Sequence, residues 1–288
     1  MKQLNFDLKQ LCKRNKDGSY TTQANRERIL TLIANQLDKL GYKKLRAAGI
    51  KPKHIEALVR QWKDESLSSG TIKNRMSALR WWAEKVNRLS VVANDNGHYG
   101  IEERIYVTNI SKAQELDLQK LDAIANQHIK LSLRLQSAFG MRREESIKFK
   151  VAVADRGDHI ALSASWCKGG RARKIPVRTQ PQRDLLNEIR QFSDRNSLIP
   201  TDLSYIKHLK IYEDAITKAG LHKMHGLRHQ YAQQRYHTLT SRLCPAAGGK
   251  ASKALTPEEK IRDNEARLII SKELGHEREQ VTAIYLGR

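Results

Sequence analysis

Three runs in the first third of the chain place apolar side chains at helical spacing. Ile29, Leu30, Ile33, Leu37 and Leu40 share one face, and Gly41 offers a stop. Pro52 sits where a first helical turn tolerates it, ahead of Ile55, Leu58, Val59 and Trp62. A third helix from about Ser69 lines up Ile72, Met76, Leu79, Trp82, Ala83 and Val86, with Lys73, Arg75, Arg80 and Lys85 among its other positions. Trp81 and Trp82 are adjacent, so they cannot both point at one core. Trp82 fits the apolar stripe, which leaves Trp81 for core or interdomain packing or for a groove contact.

The pattern fails over residues 90–111, where Asn and Gly cluster, and this stretch reads as a linker. It divides the chain into a helical first domain, 1–107, a linker end at 108–111, and a second domain, 112–288. Helical spacing resumes from Leu116 to Phe139 and again over about 181–192, 204–218, 226–238 and 257–274. Between the first two of these, His159-Ile160-Ala161-Leu162 and Arg173-Lys174-Ile175-Pro176-Val177 read as two strands of a hairpin, turning through Lys168-Gly169-Gly170. The fold class predicted is therefore mainly α with a small β-sheet. The small and basic residues that begin at Ser241 read as a surface loop, with Lys250 and Lys253 as candidate phosphate contacts.

Charge changes this picture more than length does. Among 288 residues, 53 Lys and Arg face 31 Asp and Glu, a formal +22 with a pI near 10.0, which points to a polyanionic partner. Residues 1–110 hold 21 of the basic and 11 of the acidic side chains, a net +10, and the rest of the chain carries the other +12. No basic tail explains the excess, so both domains are candidates to face phosphate; with the motifs below, Lys73, Arg75 and Arg80 on the third helix are candidate DNA contacts. Cys12, Cys167 and Cys244 show no metal-ligand spacing and suit reduced thiols in the cytoplasm. The opening residues lack the apolar core of a signal peptide, and no stretch is long and apolar enough to suggest a membrane span.

Four separated motifs carry the chemistry: Gly140-Met141-Arg142-Arg143-Glu144-Glu145, Lys168-Gly169-Gly170-Arg171, His225-Gly226-Leu227-Arg228-His229, and Leu274-Gly275-His276 with Tyr285 nine residues after its His. Breaking a phosphodiester needs a nucleophile, neutralisation of the non-bridging oxygens and a proton for the leaving oxygen. Arg donates paired hydrogen bonds to phosphate and stays protonated, His titrates near neutrality, and no carboxylate cluster suggests bound metal. Glu145 lies one helical turn after Arg142 and can orient its guanidinium.

In order and spacing the motifs resemble the tyrosine recombinase, or phage-type integrase, family. The resemblance implies a helical core-binding domain followed by an α+β catalytic domain. It implies Arg142, Lys168, His225, Arg228, His276 and Tyr285 as catalytic residues, Glu145 as support and Arg171 as a DNA contact or an alternative to Lys168, as is Lys174. Tyr285 would form a 3′-phosphotyrosine bond, Lys168 would protonate the leaving 5′-oxygen, and no metal, nucleotide or other cofactor would be required. The implied partners are double-stranded DNA carrying recombination sites, a homotetramer assembled on DNA from monomers in solution, and accessory DNA-bending proteins. Site-specific recombination for a phage or mobile element is the leading expectation. The alternatives are a chromosome-dimer resolvase, a topoisomerase IB-like enzyme and a non-enzymatic architectural protein. Two departures stand out: an apparent insertion at about 241–265, and only Leu286-Gly287-Arg288 after the nucleophile, which makes the subunit contacts less certain.

Overall fold

Buried apolar positions divide the chain into two units, Met1–Ile105 and Tyr106–Arg288, each with its own core. The computed structural model describes residues 2–276 and 278–288. The first unit contains α1 (Gln3–Arg14), α2 (Tyr20–Lys39), α3 (Pro52–Asp64) and α4 (Ser69–Lys85). Ser19 and Ser68 cap α2 and α4 by accepting the N–H of Thr22 and Thr71, which satisfies donors that a helix start otherwise orphans. Ile33, Leu37, Ile55, Leu58, Met76 and Leu79 meet in the core around Trp62 and Trp82, and the Trp62 indole donates to Gln36 Oε1 at 2.9 Å.

Two features of this unit differ from the sequence expectation. Helix α1 was not expected, although Leu4 and Leu8 bury one of its faces. The linker reading of 90–111 is narrowed: Val91, Val92 and Ile101 are buried in the first core, and the two units part at Ile105 and Tyr106, inside that stretch. Arg80 holds this segment down, its Nε donating to Ala93 O at 3.0 Å and its Nη2 to Asn96 Oδ1 at 2.8 Å. Three apolar residues without regular spacing leave no periodic signal, yet they cover the flank of α4.

The second unit is a helical body with one hairpin. The run Leu116–Phe139, expected as a single helix, breaks into α5 (Leu118–Asp122) and α6 (Gln127–Phe139). Asp117 and Asn126 each cap a fresh start, offering a side-chain oxygen to Lys120 N and Ile129 N. Short helices α7 (Arg143–Ile147) and α8 (Val151–Ala154) lead into β1 (His159–Leu162) and β2 (Arg173–Pro176), which pair antiparallel with His159 opposite Pro176 and Leu162 opposite Arg173. Helices α9 (Gln180–Ser193), α10 (Tyr205–Lys218), α11 (Gly226–Thr240), α12 (Pro257–Leu274) and α13 (Glu279–Leu286) complete the unit. Phe139, Phe149, Ile160, Ile175, Leu186, Ile270 and Leu286 share one core. No helix among the described residues is long and apolar enough to cross a membrane.

The surface-loop reading of the segment after Ser241 is corrected at its start, while Gly248, Lys250, Ala251, Lys253 and Ala254 are exposed. Cys244, Pro245 and Ala246 are buried, and α12 begins at Pro257 behind a capping box of Thr256 and Glu259. Gly249 lies so close to the preceding turn that an added Cβ would stand 1.8 Å from Leu243 O. Small residues that read as loop composition are here the requirement of a tight fold-back.

Candidate active site

Helices α6 and α12 both end at a glycine in the left-handed region, Gly140 (φ +60°) and Gly275 (φ +67°), where other residues are strained. The carbonyls at these ends lack intrahelical partners and carry the negative end of the helix dipole. Arg228, fully buried on α11, occupies this place, donating Nη1 to Gly140 O and Nη2 to Leu274 O. Burial pushes its pKa down to about 10, so the guanidinium remains charged at neutral pH. Two helix ends thus solvate an ion that could not otherwise be buried.

Tyr285 on α13 meets this Arg. Arg228 Nε donates to Tyr285 Oη at 3.3 Å, and His225 Nε2 lies 3.3 Å from the same oxygen. With the Arg occupying a lone pair, a His225 tautomer whose Nε2 carries no hydrogen can accept the phenolic proton. The ring is enclosed by His229, with centroids 4.4 Å apart, and His276 stacks on it at 5.4 Å. His276 accepts from Arg228 Nη2 at 3.3 Å and its Nδ1 lies 3.0 Å from Thr282 Oγ1, a network that assigns the neutral Nδ1–H tautomer. Gln233 Nε2 donates to Tyr285 O at 3.0 Å and anchors the backbone of the same turn.

Burial lowers the histidines around Tyr285 and favours their neutral forms, and for His276 the shift is far below the expected titration near neutrality. Burial, followed by the charges of Arg228, Arg142 and Arg173, pushes His276 down to about 3. Burial and the charges of Arg228 and Arg142 lower His225 as well. His229, against the Tyr285 ring, falls to about 4, chiefly through burial. An imidazole can accept a proton from a phenol only while it is neutral, and the downward shift of His225 keeps it in that form at neutral pH.

Arg142 caps α7 and is tied to Glu145, whose Oε2 accepts from Arg142 N at 2.6 Å and whose Oε1 accepts from Nη1 at 2.9 Å. Glu145 is fully buried, and a second guanidinium completes its shell: Arg173 donates Nη1 to Oε1 at 2.9 Å and Nη2 to Oε2 at 2.7 Å. Burial alone would raise this carboxyl, but the Arg173 bonds and charge prevail and hold it at about 2. Around Tyr285, three guanidiniums face one carboxylate, an imbalance suited to an anion that gains charge during reaction.

The remaining candidates lie in the hairpin and in the first unit. Lys168 is exposed in the turn between the strands and makes no hydrogen bond or ion pair among the described residues, so the hairpin leaves its ammonium available. Arg171 and Lys174 are exposed on the same turn and on β2. In the first unit, Lys73 is paired with Glu103 at 3.1 Å, Arg75 lies over the Trp62 ring at 5.1 Å, and Arg80 anchors the segment described above. Trp81 packs at the edge of the first core, with Arg26 over its ring at 4.2 Å.

Two family profiles match the chain, "Phage integrase, N-terminal" over residues 1–91 and "Integrase" over residues 103–234. The chain belongs to the phage-type integrase family, the tyrosine recombinases. No curated protein matches it in sequence. Among solved structures, the integrase fold is shared with a lambda integrase dimer bound to a COC′ core site (TM-score 0.61, 15% identity, covering 99% of this chain and 78% of that one). It is shared also with the XerH recombinase in a post-cleavage complex with palindromic difH substrate (0.60, 18%, 99% and 81%). The Tn1549 transposon integrase with circular intermediate DNA has the same fold (0.56, 14%, 100% and 96%). At these identities the likeness concerns the fold.

One integrase residue escaped the sequence reading. Arg173 reads from the sequence only as part of a strand, although the strand alternation carries a signal: it shares the inward face of β2 with buried Ile175, while Lys174 faces out. A cation at an inward strand position needs a buried counter-charge.

Proposed function

We propose that this integrase cleaves and rejoins DNA at specific sites through a covalent 3′-phosphotyrosine intermediate. The observation that carries this reading is the Tyr285 hydroxyl, held at 3.3 Å from both Arg228 Nε and His225 Nε2 inside one subunit. Tyr285 Oη attacks the scissile phosphorus and its proton passes to His225 Nε2. Arg142 and Arg228 neutralise the non-bridging oxygens as the pentacovalent state forms. The 5′-oxygen departs with a proton from Lys168, whose exposed position in the turn lets a flexible stem reach into a DNA groove. Because the phosphotyrosine preserves one phosphoester for each one broken, the reverse attack by a 5′-hydroxyl rejoins a strand without nucleotide. His276 and His229 pack the nucleophile, while Lys73, Arg75 and Arg171 are candidate backbone contacts. A tetramer on DNA, with accessory bending proteins, is the assembly this strand exchange would use, acting in the cytoplasm on recombination sites of a phage or mobile element. Xer-like dimer resolution uses the same chemistry and is compatible with the same fold.

The test is capture of a nicked suicide substrate in EDTA without nucleotide. The wild-type chain is expected to form a denaturant-resistant adduct, and Tyr285→Phe to form none while keeping noncovalent DNA binding, since the change removes one oxygen and no charge. An adduct with Tyr285→Phe would show that another group is the nucleophile.

A further inference from the structure

Arg173 is a buried cation that no step above uses. It forms a fork with Glu145, donates Nε to Glu273 O at 2.9 Å and lies 3.4 Å from Cys167 Sγ, next to Lys168. Gly275, which precedes His276, leaves it room, since a Cβ there would stand 2.8 Å from Arg173 Cδ. One side chain therefore joins α7, the hairpin and the end of α12. Among these ties the tightest is to Glu145, whose two oxygens each accept from both Arg142 and Arg173.

We propose that Arg173 is a positioning residue for phosphate neutralisation, acting through Glu145 to fix the guanidinium of Arg142. Arg142 and Arg173 share the two oxygens of one carboxylate, so the plane that Arg173 imposes on Glu145 sets the direction from which Arg142 is held. The paired geometry requires a planar fork. A lysine ammonium can keep the charge but not both parallel bonds together with the bond to Glu273 O. Without the fork, Glu145 is free to turn, and Arg142 no longer meets the phosphate oxygen at a fixed angle.

This inference rests on the recombinase reading, and the same assay separates the two. Arg173→Lys is compared with wild type on a suicide substrate carrying either the ordinary scissile phosphodiester or a methylphosphonate at that position. The methylphosphonate lacks the charged non-bridging oxygen that Arg142 would neutralise. The expected result is a loss of about 100-fold in the cleavage rate on the phosphodiester, with DNA binding retained, and a defect of less than about 5-fold on the methylphosphonate. If Arg173→Lys does not fold, the uncharged pair Glu145→Gln with Arg173→Gln removes both buried charges and is expected to show the same substrate-dependent loss. An equal loss on both substrates would make Arg173 a purely structural residue, and no loss on either would remove its role. Absence of any wild-type adduct would overturn the recombinase reading instead.

Discussion

At the scale of single residues, the proposed site separates charge neutralisation from proton delivery. Arg228 and Arg142 are held by buried carbonyls and a buried carboxylate, whereas Lys168 stands exposed in its turn. Lys168→Ala should accordingly recover cleavage when the leaving 5′-oxygen is replaced by sulfur, because a thiolate leaves without a general acid. Arg142→Ala and Arg228→Ala should not recover, and equal rescue of all three would remove the distinct role of Lys168. The buried histidines bear on stability. His229 and His276, held at about 4 and about 3, titrate near 6.5 when unfolded. Below that value the unfolded chain takes up protons that the folded one refuses, so stability is full above pH 6.5 and falls as pH drops through 4 toward 3. The unfolding free energy from denaturant titrations should fall between pH 7 and pH 4 by about 3 kcal/mol for each of the two imidazoles, and His229→Gln should flatten the slope. A level profile would mean that these imidazoles are not buried in the neutral form.

At the scale of elements, helix ends and a tight loop do most of the positioning. The C-termini of α6 and α12 converge on Arg228, and the αL glycines that stop these helices place the carbonyls where the guanidinium needs them. The start of the segment after α11 belongs to the core, with Cys244, Pro245 and Ala246 buried. Gly249→Ala tests this. A surface loop would accept a methyl group within about 0.5 kcal/mol, but a Cβ 1.8 Å from Leu243 O forces the backbone to move. Loss of about 2 kcal/mol or more is expected in chemical denaturation, with weaker cleavage if the shift reaches Tyr285. An unchanged midpoint would restore the surface-loop reading.

At the scale of the whole molecule, the positive charge is shared between both parts of the chain, +10 lying in residues 1–110 and +12 beyond. The first unit has its own closed core, so a fragment ending at Ile105 is expected to fold. We expect it to bind DNA weakly and with steep salt dependence, because phosphate contacts release counterions. The full chain should bind far more tightly, since a second linked basic unit meets the same duplex at high effective concentration. Titrations of both from low to physiological salt decide the matter. A fragment without affinity at low salt would confine DNA binding to the second unit.

By itself the sequence determined most of the helices and the hairpin, and it singled out the candidate residues of the site. The apolar stripes of α2, α3 and α4 are local signals, and the order of Arg142, Lys168, His225, Arg228, His276 and Tyr285 is a property of the chain. Only the tertiary structure decided what those groups become. The partner of Arg173 lies 28 residues away, the two carbonyls of Arg228 lie 88 and 46 residues away, and the hydroxyl it meets lies 57 residues away. Arg80 likewise reads as a surface charge until Ala93 and Asn96 fold against it. Periodicity reports which side of an element is buried, whereas protonation and the pairing of buried charge depend on which distant groups share the space. The neutral histidines and the Glu145 ion cluster belong to that second class, because desolvation and Coulomb energy arise only after the helices have met.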